Sequence, residues 1–248
     1  MKKIALAILL ISSPAWAENT TSLSTGFDTS TGKYGGTTAT SILYVPVTGK
    51  FQADTFFLKL TVPYIRISSV GGVLRGMGRF RNSTTTKIVI QEGLGDITTS
   101  AGYTVFENTN LLLDLVGNIK FGTADPAKNL GTGENDYSAQ LDGSYLLDKA
   151  TIFATTGYKL VGAPAGVTVN NTAYINLGLS YKTAEKTSVG LMLDAAQASN
   201  GNNPGIRELT VFISNRVSDS LKVQANLLKG FSDDSADFGG GLMITGMF

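Results

Sequence analysis

The side chains able to do chemistry in this sequence are carboxylates, ammonium and guanidinium groups, hydroxyls and amides, because its 248 residues include no histidine and no cysteine. Histidine is the commonest general base near neutral pH, and cysteine supplies thiolate nucleophiles, disulfides and soft metal ligands. Their joint absence strips the usual agents from catalysis and metal binding, and no set of catalytic, metal or cofactor residues stands out. What remains is patterned. Lys59, Asp114, Asn118, Lys120, Asp136, Gln140, Asp142, Lys159, Asn176, Asp194, Arg216, Lys222 and Gln224 each occupy an alternate position within a largely apolar stretch. A pleated strand puts alternate residues on one face, so these groups share a polar side opposite an oily one. They suit a lumen whose wall touches passing solutes; they equally suit a narrow barrel filled by charges that pair with one another. Acids and bases are nearly balanced, which argues against strong charge selection, since selective pores carry rings of one sign.

A second group lies in the long link 66–95, where Arg66, Arg75, Arg79, Arg81 and Lys87 form the densest basic cluster among apolar residues and glycines. Folded into a channel mouth, it would constrict the path. As an external loop, which is the reading preferred here, its cations would meet lipopolysaccharide phosphates. Other motifs carry less. Gly93-Leu94-Gly95-Asp96 lacks the lysine and helix of a phosphate loop and reads as a turn entering a strand. Residues 131–136 offer oxygen ligands without calcium-loop spacing, and Asp233, Asp234 and Asp237 read as a solvated loop.

The elements that must position these groups are strands. Twelve segments alternate: 20–30, 37–47, 52–65, 96–106, 111–122, 135–147, 150–161, 172–182, 187–198, 207–217, 220–231 and 236–248. Most are slightly longer than the ~9–11 residues a tilted transmembrane strand needs. In the clearest, Leu111, Leu113, Leu115, Gly117, Ile119 and Phe121 oppose Leu112, Asp114, Val116, Asn118 and Lys120. Tight turns near 48–50, 107–110, 148–149, 184–186 and 218–219 alternate with links at 31–36, 66–95, 123–134, 162–171, 199–206 and 232–235. An even strand count with alternating short turns and longer loops is the layout of a bacterial outer-membrane barrel with both termini in the periplasm. Outward aromatics then fall at two heights: Phe27, Tyr64, Phe121, Tyr137, Tyr158 and Phe238 at one, Tyr103, Tyr145, Tyr181 and Phe248 at the other. No charge falls mid-strand on the outward face, where a soluble sheet would carry its charges. The expected fold is therefore all-β: a closed antiparallel transmembrane β-barrel of about twelve strands.

Met1 to Ala17 reads as a secretory signal peptide, with Lys2 and Lys3, an apolar core over 4–11, and the small-x-small site Ala15-Trp16-Ala17. Residues 18–248 then form a single barrel domain. The charges, 20 basic against 19 acidic, leave no polybasic tract for nucleic acid. The last strand ends on Phe248 and resembles the terminal strand read by the barrel-assembly machinery, although Gly246 stands where a large apolar residue is often found.

Four stretches carry a family resemblance: Leu60-Thr61-Val62-Pro63-Tyr64-Ile65; Gly93-Leu94-Gly95-Asp96-Ile97 leading to Tyr103; Lys120-Phe121-Gly122-Thr123; and residues 130–137. Their order and spacing resemble the outer-membrane family named for the meta-pathway of phenol degradation, over about residues 55–248. The chain departs at Phe121-Gly122-Thr123, where that family usually has proline-threonine-glycine. The resemblance implies an outer-membrane barrel proposed to take up hydrophobic or aromatic compounds, and it supplies no catalytic residues.

The function expected is passive uptake of small solutes, hydrophobic or aromatic ones among them, through a channel in the bacterial outer membrane. The alternative is a structural or adhesive barrel acting through its loops. An outer-membrane lipase or protease ranks third, because the comparable enzymes use histidine.

Overall fold

The computed structural model describes residues 19–34, 36, 38–70, 73–74, 78–79, 87–199 and 204–248. The signal at 1–17 lies outside the described residues, as do Arg75 and Arg81. The strands are β1 (Thr20–Gly32), β2 (Thr40–Gln52), β3 (Phe56–Ser69), the short pair β4 (Val73–Leu74) and β5 (Gly78–Arg79), β6 (Val89–Leu94), β7 (Thr98–Glu107), β8 (Leu111–Lys120), β9 (Asp136–Leu146), β10 (Ala150–Leu160), β11 (Thr172–Ala184), β12 (Thr187–Ala196), β13 (Ile206–Ser218), β14 (Leu221–Gly230) and β15 (Phe238–Met247). The twelve long ones form one antiparallel sheet in chain order, and β1 pairs with β15 to close it. Thr21 N–H donates to Phe248 O at 3.1 Å and Phe248 N–H to Thr21 O at 2.8 Å, so the chain ends join the ladder. A closed cylinder leaves no unpaired edge, the condition for strands in hydrocarbon.

Period-two burial explains why these segments settle as barrel staves. Along the long strands most large apolar residues face outward and are exposed, among them Leu58, Leu115, Leu177, Leu191, Val211 and Leu227. The intervening positions face inward. The outward-facing charges, Arg66, Glu92, Arg207 and Lys229, all lie at one end of the barrel. At that end the links are long (33–39, 121–135, 161–171, 197–205 and 231–237). At the other they are short: 53–55, 108–110, 147–149, 185–186 and 219–220. We call these the loop end and the turn end.

Three differences from the sequence expectations have physical causes. Thr48, Gly49 and Lys50 do not form a turn. β2 continues through them with Gly49 opposite Leu60 and Lys50 opposite Lys59, and the turn falls at 53–55, where Ala53 N–H donates to Phe56 O at 2.8 Å. The link 66–95 is shorter than its composition suggests. β3 runs to Ser69, β6 pairs with its loop-end half and β7 with its turn-end half, so Arg66 stands in a strand, not a loop. Its side chain points outward and pairs with Glu92 at 3.5 Å; Arg79 lies in β5, opposite Val73.

The third difference is at the loop end, where the inward face turns apolar. Tyr34, Ile42, Tyr44, Ile65, Ile67, Ala124, Leu130 and Ala236 pack into one buried cluster, with Leu228 against it. Alternation survives there with its polarity inverted, Arg66 outside between two inward isoleucines. Burying each large side chain is worth roughly 1.5–3 kcal/mol, enough to hold the 121–135 link across this part of the mouth.

Candidate functional site

The interior is built from cross-strand pairs. Asp114 on β8 and Asp142 on β9 are register partners, as are Lys50 and Lys59 on β2 and β3. Asp114 accepts from Thr104 Oγ1 at 2.7 Å. Asp142 accepts from Thr155 Oγ1 at 2.7 Å and from Gln140 Nε2 at 2.8 and 2.9 Å. Gln140 Oε1 in turn accepts from Tyr174 OH at 2.8 Å and Asn118 Nδ2 at 3.1 Å. One connected polar network therefore spans β8 to β11 and fixes Asp142, while the separate Thr104 bond between β7 and β8 fixes Asp114.

The opposite arc is similar in kind. Asn176 faces Asp194 across β11 and β12 and, in the amide orientation that satisfies both its atoms, donates to Asp194 Oδ1 at 3.1 Å. Asn226 Nδ2 donates to Asp28 Oδ1 at 3.2 Å. Asp194 is also the register partner of Glu208, and Arg216 of Lys222. Gln224, inward on β14, is buried beside Lys222, and Lys159 faces inward near the loop end of β10.

Lys120 and Asp136 sit differently. Lys120 Nζ lies 3.3 Å from Asp96 Oδ2 and 3.4 Å from Asp136 Oδ2, with all three side chains at least nine-tenths buried. These carboxylates also hold the loops: Ala124 N–H donates to Asp96 Oδ1 at 2.8 Å, and Gly162 N–H to Asp136 Oδ1 at 3.0 Å. Lys120 thus points inward but beneath the 121–135 link, locking it rather than facing open space.

All thirteen polar residues singled out in the sequence fall on inward rows of the barrel. Reading the sequence alone misses Asp96, Lys50 and Glu208. Asp96 looks like part of a glycine-rich turn, Lys50 follows a glycine and reads as a turn residue, and Glu208 lies between Arg207 and Leu209 at a strand start. A cue for Lys50 was available, since the parity of Ile42, Tyr44 and Thr48 extends to it.

Four inward aromatic rings complete the wall, each directly opposite a glycine: Phe57 and Gly102, Phe153 and Gly178, Tyr174 and Gly157, Phe212 and Gly190. A Cβ on any of these glycines would collide with its partner ring. The glycines let the rings lie flat on the neighbouring strand instead of projecting across the interior, the way aromatics cover glycines in sheets.

Among solved structures, an outer membrane channel from Pseudomonas putida F1 superposes with a TM-score of 0.68 at 15% identity, covering 96% of this chain and 97% of that one. The KdgM porin gives 0.56 at 10% identity, covering 92% and 99%. The CymD monoaromatic hydrocarbon channel gives 0.51 at 11% identity, covering 93% and 89%. At these identities the likeness is one of fold. Curated protein sequences yield no match. The family model described as "Putative MetA-pathway of phenol degradation" matches residues 17–248, and the chain belongs to that family.

Proposed function

We propose that this protein is a bacterial outer-membrane channel for passive uptake of small solutes, hydrophobic and aromatic ones among them. The observation that carries the reading is the sorting of the wall below the loop end: charges, amides and hydroxyls dominate the inward rows, and leucines, valines and most tyrosines face outward. An outward charge at mid-membrane costs about 2–4 kcal/mol, and the chain keeps those positions apolar. The rings laid flat on glycines give the interior aromatic surface, which favours aromatic cargo. A monoaromatic hydrocarbon channel and a porin share the fold, in keeping with this role.

On this reading the loop end faces the exterior and both termini the periplasm. The strand ending in Phe248 is recognised by the barrel-assembly machinery. Arg66, with Arg75, Arg79 and Arg81 on the link beyond it, meets outer-membrane lipid and lipopolysaccharide phosphates. The inward residues, Lys59, Asp114, Asn118, Gln140, Asp142 and their counterparts on the other arc, contact solute in transit. Transport, not catalysis, is the activity, and it requires no cofactor. Planar-bilayer recording and liposome swelling with phenol-sized solutes test the proposal. Ion conductance and solute-dependent swelling are expected, and a refolded barrel that shows neither contradicts it.

A further inference from the structure

Like charges placed directly opposite one another across two strands are unfavourable, whereas opposite charges so placed stabilise the pair. This interior does the reverse. Lys50 faces Lys59, and Asp114 faces Asp142, in the turn-end half of the barrel. Only β7 separates the two pairs, and its inward side chains there are small: Ser100, Gly102 and Thr104. Among the described residues neither lysine has a carboxylate within ion-pair distance, although both interact electrostatically with Asp142 at longer range. Lys50 Nζ instead lies 4.6 Å above the Phe57 ring, which itself rests on Gly102. Asp114 accepts from Thr104, and Asp142 from Thr155 and Gln140, each with acceptor capacity to spare. The acids are thus held in place by neutral donors, and among the described residues neither ammonium group is ion-paired with a carboxylate, so both can still take an anion.

We propose that Lys50 and Lys59 form a carboxylate-binding station in the channel, with Asp114 and Asp142 accepting a hydrogen bond from the other end of the same solute. The solute class this fits is a small hydroxylated aromatic acid: its carboxylate lies between the two ammonium groups, its hydroxyl points at the acidic pair, and its ring spans β7 beside Phe57. Sign separation of this kind passes both small cations and small anions while orienting a dipolar solute. The inference rests on the channel reading above.

The test is planar-bilayer recording of wild type, K50Q/K59Q and D114N/D142N, each first checked for the heat-modifiable gel shift of a folded barrel. In a potassium chloride gradient wild type should show little selectivity, the lysine variant should turn cation-selective and the aspartate variant anion-selective. 4-Hydroxybenzoate should reduce the wild-type current, with an apparent affinity about tenfold or more weaker in K50Q/K59Q. Phenol, lacking the carboxylate, should not distinguish the two proteins. Conductance in wild type with selectivity and 4-hydroxybenzoate block unchanged in both variants would overturn the station and leave the channel intact. A folded wild type that does not conduct would overturn both.

Discussion

Replacing Lys120 by methionine perturbs the barrel at the point where its loop end is locked. The ammonium lies 3.3 and 3.4 Å from carboxylates of Asp96 and Asp136 whose side chains are 0% and 3% exposed. Methionine fills the same space and carries no charge, so two buried carboxylates lose their counter-ion together. Stranding a buried charge costs about 3–5 kcal/mol, a large share of the roughly 5–15 kcal/mol by which an ordinary domain is stable. Removing the whole group is a different matter. In the triple variant D96N/K120M/D136N no charge remains in this group, and the asparagine oxygens still accept from Ala124 and Gly162. Exchanging an entire buried ion group for neutral residues is often close to neutral. Guanidinium unfolding in detergent, followed by circular dichroism, should therefore show K120M weakened by several kcal/mol and the triple variant close to wild type. Trypsin supplies a local readout, since Lys128 lies on the link that Asp96 anchors, and its cleavage should quicken in K120M alone. If K120M proves as stable as wild type, or the triple variant is the weaker of the two, the locking role is wrong.

Other consequences follow from the wall. Gly178→Val should drive Phe153 off its seat and cost about 1–3 kcal/mol of overpacking, visible in the same unfolding assay, with loss of conductance as the ring enters the path. Leu177→Arg, on the neighbouring outward position, should cost about 2–4 kcal/mol in bilayers; Asn176→Arg, one residue away and inward, should spare stability far more. Deleting Phe248 should lower the fraction of chain assembled in outer-membrane preparations, because the residue closes the β1–β15 seam through Thr21.

How much was legible in the sequence depended on whether a residue's surroundings were local. Leu111 to Lys120 announces its strand because lipid and lumen impose opposite demands on successive residues, and that demand needs no knowledge of the partner strand. The short turns at 108–110 and 147–149 were readable for the same reason. Gly49 misled because glycine marks both turns and strand positions, and only the register with Leu60 decides between them. The inward burial of Ile65 and Ile67 was not legible, because alternation holds there while its sense inverts, a change set by Leu130 and Ala124 arriving from a link more than fifty residues later. Asp96 was invisible as a site: an acid in a glycine-rich turn looks solvated until the link that buries it is in place. The like-charge pairs were equally hidden, since each sign was read by residue and balanced over the whole set, whereas their placement by register is what segregates them.

A channel requires that the inward row of each strand meet water and the outward row lipid, and the absence of cysteine allows this to be measured directly. Asn118→Cys and Leu115→Cys place single thiols on opposite faces of β8. In reconstituted protein, a water-soluble, membrane-impermeant maleimide should label Cys at 118 and spare Cys at 115, while a lipid-soluble maleimide should label the latter. Labelling of position 115 by the impermeant reagent, with 118 refractory, would contradict the channel.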